Sequence, residues 1–203
     1  MSVLDRATGR LPRPLRVVID WTVTIAVAAA IVLVLEAEVA KPFRIPSASM
    51  EGTLHCARPA SGCEASLSDR IVACRLCYRL GSPERGQIVV FRTPPAAARG
   101  CNAGGTYVKR LVGMPGETVR EDANGAIWID GRRLREPYVS ASARAGDAHR
   151  GQTWRVPQGF YFMLGDNRSG SCDSRVWGAV PRDNLIGPVV LRYWPPDRIG
   201  TVG

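Results

Sequence analysis

Lysine is almost missing from this 203-residue sequence. Of its 27 basic residues only Lys41 and Lys109 are lysines, and histidine occurs twice, as His55 and His149. An arginine cannot give up its proton inside a protein, whereas a desolvated lysine amine can. The shortage therefore leaves four side chains as candidate nitrogen bases. Aromatic residues are also few, at 7%, and the arginines are scattered rather than interleaved with rings. No stripe suited to stacking bases results, which argues against a nucleic-acid partner despite the net charge of +9. Attraction to anionic lipid head groups accounts for the same charge. Internal repeats and low-complexity tracts are absent, which excludes solenoid and compositionally disordered architectures.

Long apolar runs are scarce too, and the one present is informative. From Val17 to Leu35 the only charge is Asp20. At ~1.5 Å per residue this run reaches roughly 28 Å, close to the hydrocarbon thickness of a bilayer. A buried core helix would be amphipathic, yet Ala26 to Leu35 is apolar all round. A cleaved leader would need small residues after the run, where Glu36 and Glu38 crowd any cut. Arg6, Arg10, Arg13 and Arg16 precede the run against a single Asp5, and Pro12 and Pro14 discourage helix there. The expected organisation is a cytoplasmic basic terminus over 1–16, a single transmembrane anchor over 17–40, and an extracytoplasmic domain over 41–203.

That domain is expected to be mainly β. With 15 prolines and 21 glycines in the chain, turn signals recur about every ten residues. Strands are expected over Arg70–Leu80, Gly86–Arg92, Thr106–Met114, Glu117–Glu121, Ala126–Asp130, Gly159–Leu164 and Pro188–Tyr193, with loops at Pro94–Gly105 and irregular chain over 135–153. The pattern suits an antiparallel sandwich or partly closed barrel.

The stretch from Arg44 to Leu54, R-I-P-S-A-S-M-E-G-T-L, places Ser47 and Ser49 directly after the anchor. Such serines commonly cap turns; as nucleophiles they need a base. Lys41 lies at the membrane boundary, where lysines reach to head groups. Lys109 shares a strand face with Tyr107 and Leu111. It reads either as a buried amine with a lowered pKa or as an edge-strand lysine that blunts aggregation. Neither histidine has a carboxylate at a recognisable spacing. Six cysteines suggest disulfides, with Cys56 and Cys63 the best pair across a short Pro/Gly-rich loop. Cys74-x-x-Cys77 resembles a metal or redox motif, but on a strand these positions face opposite sides, so two separate side chains are expected. A zinc set of Cys56, Cys63, Cys74 and Cys77 has unconvincing spacing. Cys101 and Cys172 are unassigned.

Several stretches then agree in order and spacing. They are Pro46-Ser47-Ala48-Ser49-Met50 with Thr53-Leu54, Arg85 to Phe91, Tyr107-Val108-Lys109-Arg110 with Gly113 to Glu117, and Gly165-Asp166-Asn167-Arg168 with Ser171, Asp173-Ser174-Arg175 and Trp177-Gly178. Together they resemble the boxes of bacterial type I signal peptidases, over the chain from the anchor to about Pro195. The resemblance implies a membrane-bound serine endopeptidase that removes signal peptides after a small-x-small motif, without cofactor or metal. It implies Ser49 as nucleophile, Lys109 as general base, Ser47 as oxyanion donor and Ser171 as the group orienting the amine. Phe43, Ile45, Pro46 and Val108 would line substrate pockets, and Asp173 with Arg175 would be structural support. Signal peptides and membrane lipid are the implied partners. One departure is Gly52, where the family commonly has proline, which is expected to loosen the turn after Ser49. The Cys56–Asp69 link is longer than usual, and the short 117–160 segment implies a small accessory β region. A Ser/Lys peptidase dedicated to one exported client, or a non-catalytic peptide-binding β module, are the competing readings.

Overall fold

The protein is described here by a computed structural model that covers residues 12–101, 104–147 and 149–202. The chain divides after Ala40 into two units. The first contains helix α1, Arg13–Glu38. It starts inside the segment that Pro12 and Pro14 were expected to keep non-helical. Pro12 lies just outside, accepting from the Arg16 amide at 3.1 Å, and Pro14 sits in the first turn, where a missing N–H costs nothing. Over Arg13–Leu33 this helix is long and apolar enough to cross a membrane. Asp5, Arg6 and Arg10 of the expected basic terminus lie outside the described residues.

The second unit is mainly β. Its larger sheet is a curled antiparallel half-barrel built from β1 (Ala40–Arg44), β2 (Arg70–Cys74), β3 (Ile88–Arg92), β4 (Thr106–Gly113), β9 (Phe160–Leu164), β10 (Val180–Pro181) and β11 (Leu185–Trp194), in the order β1-β2-β11-β3-β4-β9-β10. A smaller four-stranded sheet contains β5 (Thr118–Glu121), β6 (Ile127–Ile129), β7 (Arg132–Arg133) and β8 (Thr153–Arg155), in the order β7-β6-β5-β8. The tight turn between β5 and β6 carries Asn124-Gly125, with Gly125 at φ +75°.

The apolar run Ile88-Val89-Val90-Phe91 explains why β3 is central. Ile88 and Val90 pack with Ile45, Met50 and Leu54 on one face, and Val89 and Phe91 pack with Leu111 and Met163 on the other. A strand covered on both faces reads as a continuous hydrophobic run rather than an alternating one. A third cluster, centred on Val112, Val119, Ile127 and Phe162, joins the two sheets.

Several expectations need correction. Arg70–Leu80 is not one strand: β2 stops at Cys74, the chain turns, and Cys77–Leu80 forms the short helix α2. That turn brings the Cα atoms of Cys74 and Cys77 to 5.5 Å, and they are disulfide-bonded rather than separate. Pro94–Gly105 contains helix α3 (Pro95–Cys101), and the irregular 135–153 segment contains α4 (Ala141–Ala145), whose N-cap Ser140 accepts from the Ala143 amide. Helix α5 (Ser174–Trp177) follows Asp173, which caps it. Cys56–Cys63 is bonded, as expected, and Cys101 pairs with Cys172. The four sulfurs weighed as a zinc set are therefore all committed to disulfides.

Strand β11 passes so close to the end of β2 that a Cβ at Gly187 would lie 2.1 Å from the Cys74 carbonyl oxygen. Because the obstacle is backbone, Gly187→Ala should destabilise the domain by about 1–3 kcal/mol, visible as a lower thermal midpoint by calorimetry. An unchanged midpoint would contradict this close approach.

Candidate active site

Ser49 sits in a single 3₁₀ turn, Ala48–Met50, that follows the extended residue Ser47. The turn is anchored from below by Met50 and Ala48, both buried in the core. It is gripped from the side by Asn167, whose side-chain amide donates to the Ala48 carbonyl at 3.0 Å and whose backbone amide donates to the Ser49 carbonyl at 3.2 Å. Gly52, just beyond, has φ +94°. Proline is fixed near −65° and cannot take this conformation. The departure from the family's usual proline thus gives a left-handed glycine turn of its own, rather than a merely loosened one.

Lys109 lies on β4 between β3 and β9, opposite Val89. It is 2% exposed, so the edge-strand reading fails. Its amine donates to the Ser49 hydroxyl and lies 5.5 Å from the centre of the Tyr107 ring. Burial is the dominant influence on this amine and pulls its pKa from 10.5 down to about 8. Asp173 and Asp166 oppose that shift, and Arg175 reinforces it. Ser47 Oγ lies 3.4 Å from Ser49 Oγ. Both serines and Lys109 open onto a cleft of about 170 Å³ whose walls include Phe43, Ile45, Pro46, Met50, Tyr107 and Val108.

Ser171 is placed somewhat differently from its expected role. Its hydroxyl donates to Asp173 Oδ2 at 2.8 Å. The same carboxylate oxygen accepts from the Gly165 amide at 3.0 Å. A Cβ at Gly165 would fall 2.2 Å from Ser171 Oγ and 2.5 Å from the Ser49 carbonyl oxygen, so only glycine lets these segments meet. Asp173 is fully buried and bridged at two points by Arg175, at 2.8 Å from both Nε and Nη2. Burial alone would raise the Asp173 carboxyl, but the guanidinium outweighs it and holds the pKa below the ordinary range.

The structure also recruits residues to which sequence reasoning gave no role. Asp166 binds Arg110 in a fork, at 2.9 Å from Nε and 2.7 Å from Nη2, and accepts from Thr53 Oγ1 at 2.6 Å. It ties the neighbour of Lys109 to the segment that follows Ser49. Arg168 pairs with Glu136, and Arg175 pairs with Asp147 and lies 3.5 Å from Glu121. Asp166 stood in a quoted motif, but Glu121, Glu136 and Asp147 had no sequence signal, since nothing local distinguishes a carboxylate that will be buried. Each histidine does have a carboxylate partner, His55 with Glu51 and His149 with Asp147. The hydroxyl of Ser49 is engaged by Lys109 and Ser47 instead.

The chain is similar to known proteins over most of its length. A sequence model of the family described as signal peptidase, peptidase S26, matches residues 18–194. The Synechocystis protein named "Probable signal peptidase I-2" is 37% identical over 177 residues, covering 87% of this chain and 73% of that protein. A second Synechocystis protein, "Probable signal peptidase I-1", is 34% identical over 95% of this chain and 91% of its own length. The signal peptidase I of Mycobacterium tuberculosis is 32% identical over 94% of this chain and 78% of its own.

The depressed pKa of Lys109 carries a stability cost. The unfolded chain holds the proton up to about pH 10.5, whereas the folded chain releases it near 8. The cost is full below pH 8 and fades as pH rises toward 10.5. Lys109→Met should therefore be more stable than the native chain at pH 7, by up to about 3 kcal/mol, and lose that advantage near pH 10. Denaturant titrations at both pH values test this; an equal gap at each would mean the amine is not desolvated.

Proposed function

The chain belongs to the signal peptidase family S26, and from that membership we propose that it cleaves signal peptides with Ser49 as nucleophile and Lys109 as general base. It is a serine endopeptidase by family. The observation that carries the assignment is the hydrogen bond from a buried, pKa-lowered lysine amine to a hydroxyl that opens onto an apolar cleft.

In this reading the neutral amine of Lys109 takes the Ser49 proton as Oγ attacks the scissile carbonyl. The oxyanion is received by the Ser47 hydroxyl and the backbone N–H of Ser49. Lys109 then protonates the leaving amine and activates the water that releases the acyl-enzyme. Ser171 acts at one remove: by donating to Asp173 it fixes the carboxylate whose charge the amine feels. No metal or cofactor enters any step.

The substrate docks as an extended strand along β1 and the start of β4, with main-chain hydrogen bonds giving affinity and pockets reading alternate side chains. Phe43, Ile45, Pro46 and Val108 line those pockets. A cleft of about 170 Å³ suits small side chains and rejects bulk, which supports an Ala-x-Ala preference before the cut. Helix α1 anchors the enzyme in the bilayer with the arginine-rich 1–16 segment in the cytoplasm and 41–203 outside, so partners are preprotein signal peptides and membrane lipid. A reporter fused after Gly203 tests that orientation.

Mass spectrometry of a preprotein incubated with the detergent-solubilised enzyme is the direct assay. Ser49→Ala, Lys109→Ala and Lys109→Arg should each abolish cleavage by about 10³-fold or more, the last because guanidinium cannot accept the proton. Activity should climb as pH passes about 8 and hold above it, since only the neutral amine can act as base. Full activity in any of these variants, or a maximum near pH 5, would refute the Ser/Lys assignment.

A further inference from the structure

The Cys74–Cys77 disulfide plays no part in the peptidase chemistry, and its surroundings differ from those of the other two. Cys56 and Cys63 are buried, and Cys101 and Cys172 are half-buried. Cys77, by contrast, is exposed at the start of α2, with Cys74 half-buried behind it. The loop it closes has a sequence separation of 3, against 7 for Cys56–Cys63 and 71 for Cys101–Cys172. The shorter the loop closed, the less a disulfide restrains the unfolded chain, so this bond contributes least to folding.

Arg75 and Tyr78, each next in the chain to one of these cysteines, line a cleft of about 190 Å³ whose walls include Arg92, Arg182, Asp183 and Leu185. Arg75, Arg92 and Arg182 line it together with the one carboxylate of Asp183. Arg182 is held in place by the Tyr78 carbonyl at 2.6 Å and stands over the Tyr78 ring at 5.1 Å. Cys74 Sγ accepts the Cys77 amide at 3.2 Å. A thiolate forming on Cys74 would keep that donor and have the Arg75 cation next to it in the chain, both of which lower the pKa of a leaving thiol and speed its departure.

We propose that Cys74–Cys77 is a thiol–disulfide exchange site for a small thiol bearing carboxylates, with the arginine cleft holding the carboxylates. The thiolate of such a molecule attacks the exposed Cys77 Sγ. A new S–S bond forms to it while the Cys74–Cys77 bond breaks, its electron pair leaving on Cys74 Sγ. A second molecule of the thiol then attacks the sulfur of the first and displaces Cys77 as thiolate. Two thiols are oxidised to their disulfide, the protein disulfide is reduced to a dithiol, and the two protons released by the small thiols pass to the cysteines. The same steps run backward when the oxidised molecule is in excess.

The test uses the full chain in detergent micelles without oxygen. The probes are reduced glutathione, which is anionic, and 2-mercaptoethanol, which is neutral, compared at equal thiolate concentration. Samples are alkylated at intervals and mapped by mass spectrometry. Cys74 and Cys77 should become labelled at least about tenfold faster than the other four cysteines, with a transient glutathione adduct on Cys77. Glutathione should outpace the neutral thiol by about tenfold, and the advantage should shrink in 0.5 M salt and in Arg75→Gln/Arg92→Gln. First opening at Cys56–Cys63 or Cys101–Cys172, or equal opening of all three, would overturn the site. Opening of Cys74–Cys77 at the same rate with both thiols would overturn the anionic ligand.

Discussion

The structure depends on keeping one amine dry. A lysine held out of water is costly, and Lys109 is tolerated because its strand is central and its core neighbours fall into separate clusters, Leu111 with Val89 and Met163 in one and Val112 with Phe162 in another. The hydrogen bond to Ser49 gives the amine a partner that a neutral nitrogen can use as well as a charged one. Were the amine paired with a carboxylate instead, its pKa would rise and its proton would stay. Asp173 lies close enough to be felt by Lys109, yet its two oxygens are engaged by Arg175, Ser171 and the Gly165 amide. The surroundings set the balance between desolvation and charge that leaves Lys109 near 8.

That balance gives a reason for the many buried ions around Ser49 and Lys109. Arg175 neutralises Asp173 and is itself held by Asp147, with Glu121 nearby. Burial and the facing Asp147 push the Glu121 carboxyl upward, which limits the charge that Arg175 must balance. Asp166 and Arg110 form a second, separate pair, with Arg110 stacked 3.8 Å from the centre of the Tyr138 ring. Such pairs add little net stability, but removing one partner of a buried pair typically costs about 3–5 kcal/mol. Their effect is positional: they fix β4, the Ser49 turn and the segment after β9 against one another. The Cys101–Cys172 bond adds a covalent tie to the same segment, between Ser171 and Asp173.

Much of this was legible before any fold was known. Two lysines among 27 basic residues made Lys109 nearly the only amine available, and strand alternation placed it beside Tyr107 and Leu111. The turn signals and apolar runs located most strands. What failed were elements whose local pattern is too short to carry period, such as β7 and β10, and the boundary at Cys74, where an apolar stretch continues past the point at which the strand ends. Glycine at position 52 was legible as a departure, but its consequence was not, because the sign of φ depends on where the chain must go next.

Composition and strand period marked Lys109 as a candidate base and Val17–Leu35 as a run able to cross a membrane, whereas Ser49 as the attacking group came only from the family resemblance. Assembly of the sheet is what brings Ser49 and Lys109 into contact across a sequence separation of 60, desolvates Lys109 and sets which carboxylates stand behind it. Ser171 was expected to reach the amine, yet packing directs its hydroxyl to Asp173. Contact and burial are properties of the assembled sheet, set by register and packing between distant strands, and no local pattern encodes them.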